Sequence, residues 1–187
     1  MRIVHVVPYF NPTLGYQEYY LAKEQLGMGH EVVVVTSSRF VQPPRKIRLT
    51  GSFSTSIERE DDLIILRLPL FLQIGSIYCV MRNLKRVLKI LSPDVVHSHE
   101  IHYIAPSFPA FYKEDIGYHY IIDTHTYRHF YPPSCKSCLA LISFKLLKNL
   151  FFKKCVSKAD AIIAIDENCR KWFSDEFNIA PNKIFVI

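Results

Sequence analysis

Six of the eight histidines, His5, His97, His99, His102, His125 and His129, lie in or just after short runs of β-branched residues, and Glu100, Asp123 and Arg128 stand among them. A lone histidine at such a place is ordinary. This density of imidazole and carboxylate at strand ends marks a site. One chemistry open to it is a hydrolytic metal centre, in which His97, His99 and His125 hold a divalent ion, Glu100 or Asp123 adds an oxygen ligand, and an open position takes water. Another reading keeps the cleft and lacks chemistry, as a ligand-binding module. A separate feature is "HVVPYFNPTLGYQEYYLAKEQL" at residues 5–26, where a strand-like stretch passes through a proline-broken loop with one glycine, Gly15, into a helical pattern. A loop turning there aims backbone N–H groups and the positive end of a helix at the cleft, which favours an anion.

Strands and helices must aim these residues. "RIVHVV", "EVVVVT", "LIILRL", "DVVHSH", "HYIIDT", "DAIIAI" and "IFVI" read as strands, several apolar nearly throughout, with helix-length segments between them. Strands apolar on both faces belong to a parallel sheet covered on each side. The expected fold is a doubly wound α/β domain, a mainly parallel sheet with helices on both faces. Tyr16–Met28 reads as the first helix, with Tyr19, Ala22 and Leu26 on its inner face and Gly29 closing it. Residues 37–62, with "QPPRK" and "TGSFSTS", read as a loop holding one short strand. "GMGHEV" is not a dinucleotide fingerprint, because its glycines end a helix and lead into a strand. In such a sheet ligands bind outside the carboxyl ends of the strands, where Pro8–Gln17, His97–His102 and Asp123–His129 fall.

At 187 residues, 49% hydrophobic and 21% charged, the chain has the makings of one globular domain. It shows neither a secretory leader nor a charge-free apolar run long enough to span a bilayer, so a cytoplasmic location is expected. Its five cysteines, an odd number spread over a long chain, do not make the framework of a small secreted domain and are expected to be reduced, and the single C-x-x-C of Cys135 and Cys138 lacks the second pair of a zinc ribbon. The formal charge of +6 and pI near 9.0 suit an anionic partner. Nucleic acid is disfavoured because no recognition module is present. Arg82, Lys85, Arg86 and Lys89 recur at helical spacing opposite apolar residues, a basic stripe that suits solvent or an anionic membrane surface.

The stretch "MRIVHVVPYFNPTLGYQEYYLAKEQLGMGHEVVVVTS" resembles the start of the GT-B-fold, retaining glycosyltransferases of family 4 type, whose first strand leads to a Pro-rich loop, Gly-Gly-x-Glu, a helix and Gly-His-Glu-Val. "PDVVHSHE", "IIDTHTY" and "SKADAIIAIDE" are similar to further segments of that family, in the same order. The resemblance implies that residues 1–187 are a single Rossmann-like N-terminal, acceptor-side domain, with the C-terminal donor-nucleotide domain absent from this chain and the chain alone inactive. It implies transfer of a sugar from a nucleotide-sugar donor to the hydroxyl of a sugar or lipid-linked acceptor, with retained configuration and no metal or other cofactor required. Many resembling enzymes act on lipid-linked acceptors, which makes the cytoplasmic membrane face a candidate location. Carried over by position, Gly15 with the N–H groups of Tyr16 and Gln17 forms the donor diphosphate loop, Glu18 is the acidic residue of the first helical turn, and His125 is the catalytic histidine. His99, Glu18 and Arg128 make up the acceptor-binding set. Tyr16 stands where the family has its second glycine, so a side chain there restricts close approach of the backbone to a phosphate.

Overall fold

The computed structural model describes residues 1–42, 46–49, 54–74, 78–100, 103–124 and 151–187. The expected strands form in the expected order: β1 (Arg2–Val7), β2 (Glu31–Ser37), β6 (Leu63–Leu68), β9 (Val95–Ser98), β10 (His119–Thr124), β11 (Ala161–Ala164) and β12 (Ile184–Val186). These seven run parallel, and β5 (Ser56–Glu60) joins antiparallel at one margin to give the order β12-β11-β10-β9-β1-β2-β6-β5. β1 and β2 lie centrally, and each is buried at every position but the first, which suits their largely apolar sequences and buries His5, Thr36 and Ser37 with them.

Residues 37–62 are more regular than a loop with one strand. They hold the hairpin of β3 (Arg39–Gln42) and β4 (Lys46–Leu49) as well as β5. A second hairpin, β7 (Leu70–Ile74) with β8 (Tyr78–Met81), follows β6 after Pro69.

Helix α1 (Gln17–Gly27) covers one face of the sheet, where Val7, Phe10, Ala22, Val32, Val34, Leu63 and Ile65 form a small core. The opposite face carries the larger core, built on Val4, Val6, Val33, Val35, Val96 and Ile122. Onto it pack α2 (Leu84–Leu91), α3 (Ile104–Ser107), α4 (Pro109–Ile116), α5 (Lys153–Ser157) and α6 (Glu167–Phe177). Helix α6 starts where Asp166 accepts from the backbone N–H of Cys169 at 2.7 Å, and it stops at Asn178 in the left-handed conformation. Cys79 on β8, Cys155 on α5 and Cys169 on α6 are buried free thiols of the larger core. Cys135 and Cys138 lie outside the described residues.

The basic stripe straddles the start of α2, since Arg82 precedes the helix and Lys85, Arg86 and Lys89 project from it. All four are exposed. Lys85 and Lys89 both reach the carboxylate of Asp115 on α4, at 2.7 and 3.0 Å. Among the described residues no helix is long and apolar enough to cross a membrane.

Candidate functional site

The chain leaves β1 toward β2 on one side, while β9 returns to pair with β1 on the other, so the strand order reverses between β1 and β9. The crevice outside their carboxyl ends is where this architecture binds ligands. The loop after β1 enters it under tight control. Phe10 N donates to Thr36 Oγ1 at 3.1 Å, Ser37 Oγ donates to the Pro8 carbonyl at 2.6 Å, and Arg67 Nη1 donates to the Phe10 carbonyl at 3.0 Å. Arg67 is itself buried and pairs through Nε with Glu58 at 2.7 Å. The loop then makes a 3₁₀ turn at Pro12–Leu14, capped by Asn11 Oδ1, which accepts from Thr13 N at 3.1 Å.

Gly15 closes that turn at φ 58°, a left-handed conformation that glycine adopts without cost. A Cβ there would lie 3.0 Å from the hydroxyl of Tyr20. Tyr16 is extended and caps α1 through its carbonyl, which accepts from Tyr19 N at 3.0 Å. Tyr20 N donates to the same carbonyl at 3.4 Å, and ahead of these bonds the N–H groups of Gln17 and Glu18 point out of the helix N-terminus. Tyr16 and Gln17 are exposed and Glu18 is half-buried.

From β9 the chain passes through His99 to Glu100, whose φ of 63° is a strained conformation for a residue with a side chain. Tyr103 N then donates to the Glu100 carbonyl at 3.1 Å. Burial, and after it the charges of Glu100, the nearby Tyr16 and Glu18, push the Tyr103 phenol above its ordinary value. Tyr16 and Glu18 at the start of α1 and Glu100 after β9 thus lie close enough to Tyr103 for their charges to act on it. Tyr9 meets the Tyr103 ring edge-on at 5.8 Å between centroids.

Next to Glu18 and Glu100 lies a buried polar cluster. In the sheet register His5 pairs with His97 and Ile121 pairs with His97, so His5, His97 and Asp123 share the face that α1 covers. His99 is fully buried and stacks on His97 with ring centroids 4.2 Å apart. Its Nδ1 lies 2.6 Å from Asp123 Oδ2, and His97 Nε2 lies 3.2 Å from the same oxygen. His99 Nε2 meets His5 Nδ1 at 2.8 Å, and His5 Nε2 meets Gln25 Oε1 on α1 at 2.7 Å. Burial works against a charge on any of these groups. For His99 the Asp123 carboxylate overcomes it, with Glu18 and Glu100 adding, and the pKa is raised. Asp123 is held well below the usual carboxylate range although burial opposes this, because the charge of His99 and the ring nitrogens of His97 and His99 favour its anion. His5 is pushed well below 6.5, first by burial and then by His99 and His97.

Ring nitrogens of His5, His97 and His99 come within 4.8 Å of one another, a spacing that invites comparison with a metal centre. The geometry is that of hydrogen-bonded rings. Two histidine nitrogens on a tetrahedral zinc ion stand about 3.3 Å apart, whereas His5 and His99 approach to 2.8 Å with their rings nearly parallel, at 23°. Of the three histidines assigned to a metal from sequence, His97 and His99 are adjacent here and His125 lies outside the described residues. Arg128, His102 and His129 also lie outside them. From sequence His5 counts only as one of the strand histidines, and nothing singles out Gln25. His5 sits mid-strand and Gln25 sits on a helix, and only the strand order brings them to His99.

Fold and crevice together define a Rossmann-like half of the GT-B architecture. The family model of Glycosyltransferase Family 4 matches residues 17–187, and the chain belongs to that family. Among solved structures, the sucrose-phosphate synthase of Thermosynechococcus elongatus superposes with a TM-score of 0.63 at 10% identity, covering 100% of this chain and 47% of that one. The chain thus spans about half the length of that neighbour. A second structure of that synthase gives a TM-score of 0.55 at 9% identity, covering 92% of this chain and 81% of the other. Among curated proteins none matches the sequence.

Proposed function

We propose that this chain is the acceptor-side domain of a retaining glycosyltransferase, which moves a sugar from a nucleotide-sugar donor to the hydroxyl of a sugar or lipid-linked acceptor. The observation that carries the reading is that the Gly15 turn and the start of α1 follow β1 while the Glu100 segment follows β9, at the carboxyl ends of the two strands between which the order reverses, with Glu18 and Glu100 both acting on the buried His99. Gly15 makes the turn, its own N–H donating to the Pro12 carbonyl, and the backbone N–H groups of Tyr16 and Gln17 face the donor diphosphate, whose growing charge the helix end and oriented dipoles stabilise as it leaves. Glu18 and Glu100 present carboxylates to acceptor hydroxyls. His99, fully buried, acts through its charge and through its contacts with Asp123 and His5. His125 and Arg128 keep the roles that the family resemblance gives them, and the donor nucleotide is held mainly by a second domain. The scheme needs positioning and electrostatics, with no metal or other cofactor.

The test is transfer itself, by the full-length protein with a panel of nucleotide sugars and glycan or lipid-linked acceptors, followed by NMR of the anomeric proton. An α-linked product from an α-linked donor, lost in Gly15→Ala and Glu18→Gln variants, is expected. An inverted product overturns retention. Binding without transfer from any donor overturns the enzymatic reading in favour of a ligand-binding module. For a lipid-linked acceptor, the stripe of Arg82, Lys85, Arg86 and Lys89 gives the domain a basic face for the cytoplasmic side of a membrane.

A further inference from the structure

We propose that Asp123 is a positioning residue for the cleft: one carboxylate oxygen holds the backbone of Glu100, and the other anchors a buried line of side chains, His99, His5 and Gln25, that ties α1 to the middle of β1 and to the carboxyl end of β9. Oδ1 accepts from Glu100 N at 3.2 Å and Oδ2 lies 2.6 Å from His99 Nδ1. The need for both is visible in the elements they hold. Glu100 keeps a left-handed conformation, which persists only where neighbours enforce it. Helix α1 has a single fully buried residue, Ala22, and rests on the small core through it and the partly buried Tyr19 and Leu26. The Gln25–His5 contact supplies a polar grip near its end. If it loosens, Tyr16, Gln17 and Glu18 at the other end of the same helix are free to shift against Glu100.

The protons along the line are fixed by its two ends. Gln25 presents a carbonyl oxygen, so His5 Nε2 carries a proton and donates it. A neutral His5 then offers the Nδ1 lone pair, and His99 Nε2 donates to it. At its other nitrogen His99 faces a carboxylate at 2.6 Å and carries a second proton there. His99 is thus an imidazolium cancelled by Asp123, and His5 is its neutral relay to α1. The other charged or titratable groups facing His99 are His97, stacked on it from β9, Glu18 from α1 and Glu100 from the following loop. Both carboxylates favour the same proton.

Imidazole nitrogen NMR on this chain tests the assignment directly. Near neutral pH, His99 is expected to show two protonated nitrogens and His5 a single Nε2–H tautomer. A neutral His99, or His5 protonated at Nδ1, overturns the proposal without any variant. Asp123→Asn keeps the shape and an acceptor for Glu100 N while removing the charge. In it the His99 titration is expected to fall by about one pH unit or more, with the amide resonances of Glu100 and of the first turn of α1 moving together. A His99 titration unchanged in this variant, or α1 resonances that stay in place, overturns it. A kinetic arm rests on the transferase reading: in the full-length enzyme Asp123→Asn should raise the acceptor KM about tenfold and leave the donor KM within about twofold. If no transfer is found in the wild type, that reading fails while the NMR arms still decide the positioning role.

Discussion

In the unfolded chain His5 and His99 each titrate near 6.5, so together they bind two protons well below that pH and none well above it. In the native state the pair holds one, because His99 keeps its proton above that value and His5 gives its own up well below it. Below 6.5 the unfolded state therefore binds the extra proton and stability rises with pH, while above 6.5 the native state does and stability falls. Each limb approaches a slope of about 1.4 kcal/mol per pH unit. Urea denaturation of wild type and of a His5→Gln, His99→Gln double variant, from about pH 5 to 8, should give a stability difference shaped as a dome centred near neutrality. A monotonic difference would contradict the single shared proton. Arg67 gives a second measurement at this scale. Arg67→Met leaves the Phe10 carbonyl without its donor, and the expected loss is about 2 kcal/mol of unfolding free energy. Glu58, half exposed, is solvated when its partner goes. Of these residues the sequence exposed those at strand ends, His99, Glu100 and Asp123, by their polarity against an apolar background. Arg67 read as one charge inside an apolar strand, and nothing local says that it reaches back to Phe10.

At the scale of elements, Asp115 on α4 draws two of the four charges of the basic stripe onto the protein. Such exposed pairs add little to stability, so Asp115→Asn should leave the denaturation midpoint nearly unchanged. The same substitution frees Lys85 and Lys89. If the stripe meets anionic lipid, sedimentation with anionic vesicles should increase in Asp115→Asn, vanish at high salt, and be lost when the four basic residues become glutamine. Binding indifferent to lipid charge returns the stripe to a solvated helix face. Elements were legible where a single physical demand shaped them. The sequence reading places β1, β6 and β10 with the same limits as the structure, because a strand covered on both faces is mostly apolar and β-branched and stands out from the polar segments on either side. The hairpins β3–β4 and β7–β8 were missed for the opposite reason. They stand outside the main sheet, their strands run only four or five residues, and Pro69 alone separates β7 from the apolar run of β6. The pairing of α2 with α4 was hidden too, since a stripe in sequence carries no record of the acid it will face.

Across the whole molecule the two faces of the sheet are unequal. The face toward α1 gives up apolar area to His5, His97, His99 and Asp123, while the other closes over the larger core. Local opening should follow that division, with α1 separating from the sheet at lower free energy than the helices opposite. Cys79, Cys155 and Cys169 all belong to the larger core, and burial pushes their thiols up to about 11, about 12 and about 11. An alkylating reagent at neutral pH then meets neither an accessible sulfur nor a thiolate. Modification of these three becomes a clock, started by the reagent and advanced only when the far face breaks apart. Peptide mapping should find them modified together and slowly, at a rate that rises with urea as global unfolding does, while amide exchange in α1 runs ahead. Early modification of Cys79 alone would mean that the β7–β8 hairpin detaches as a separate unit.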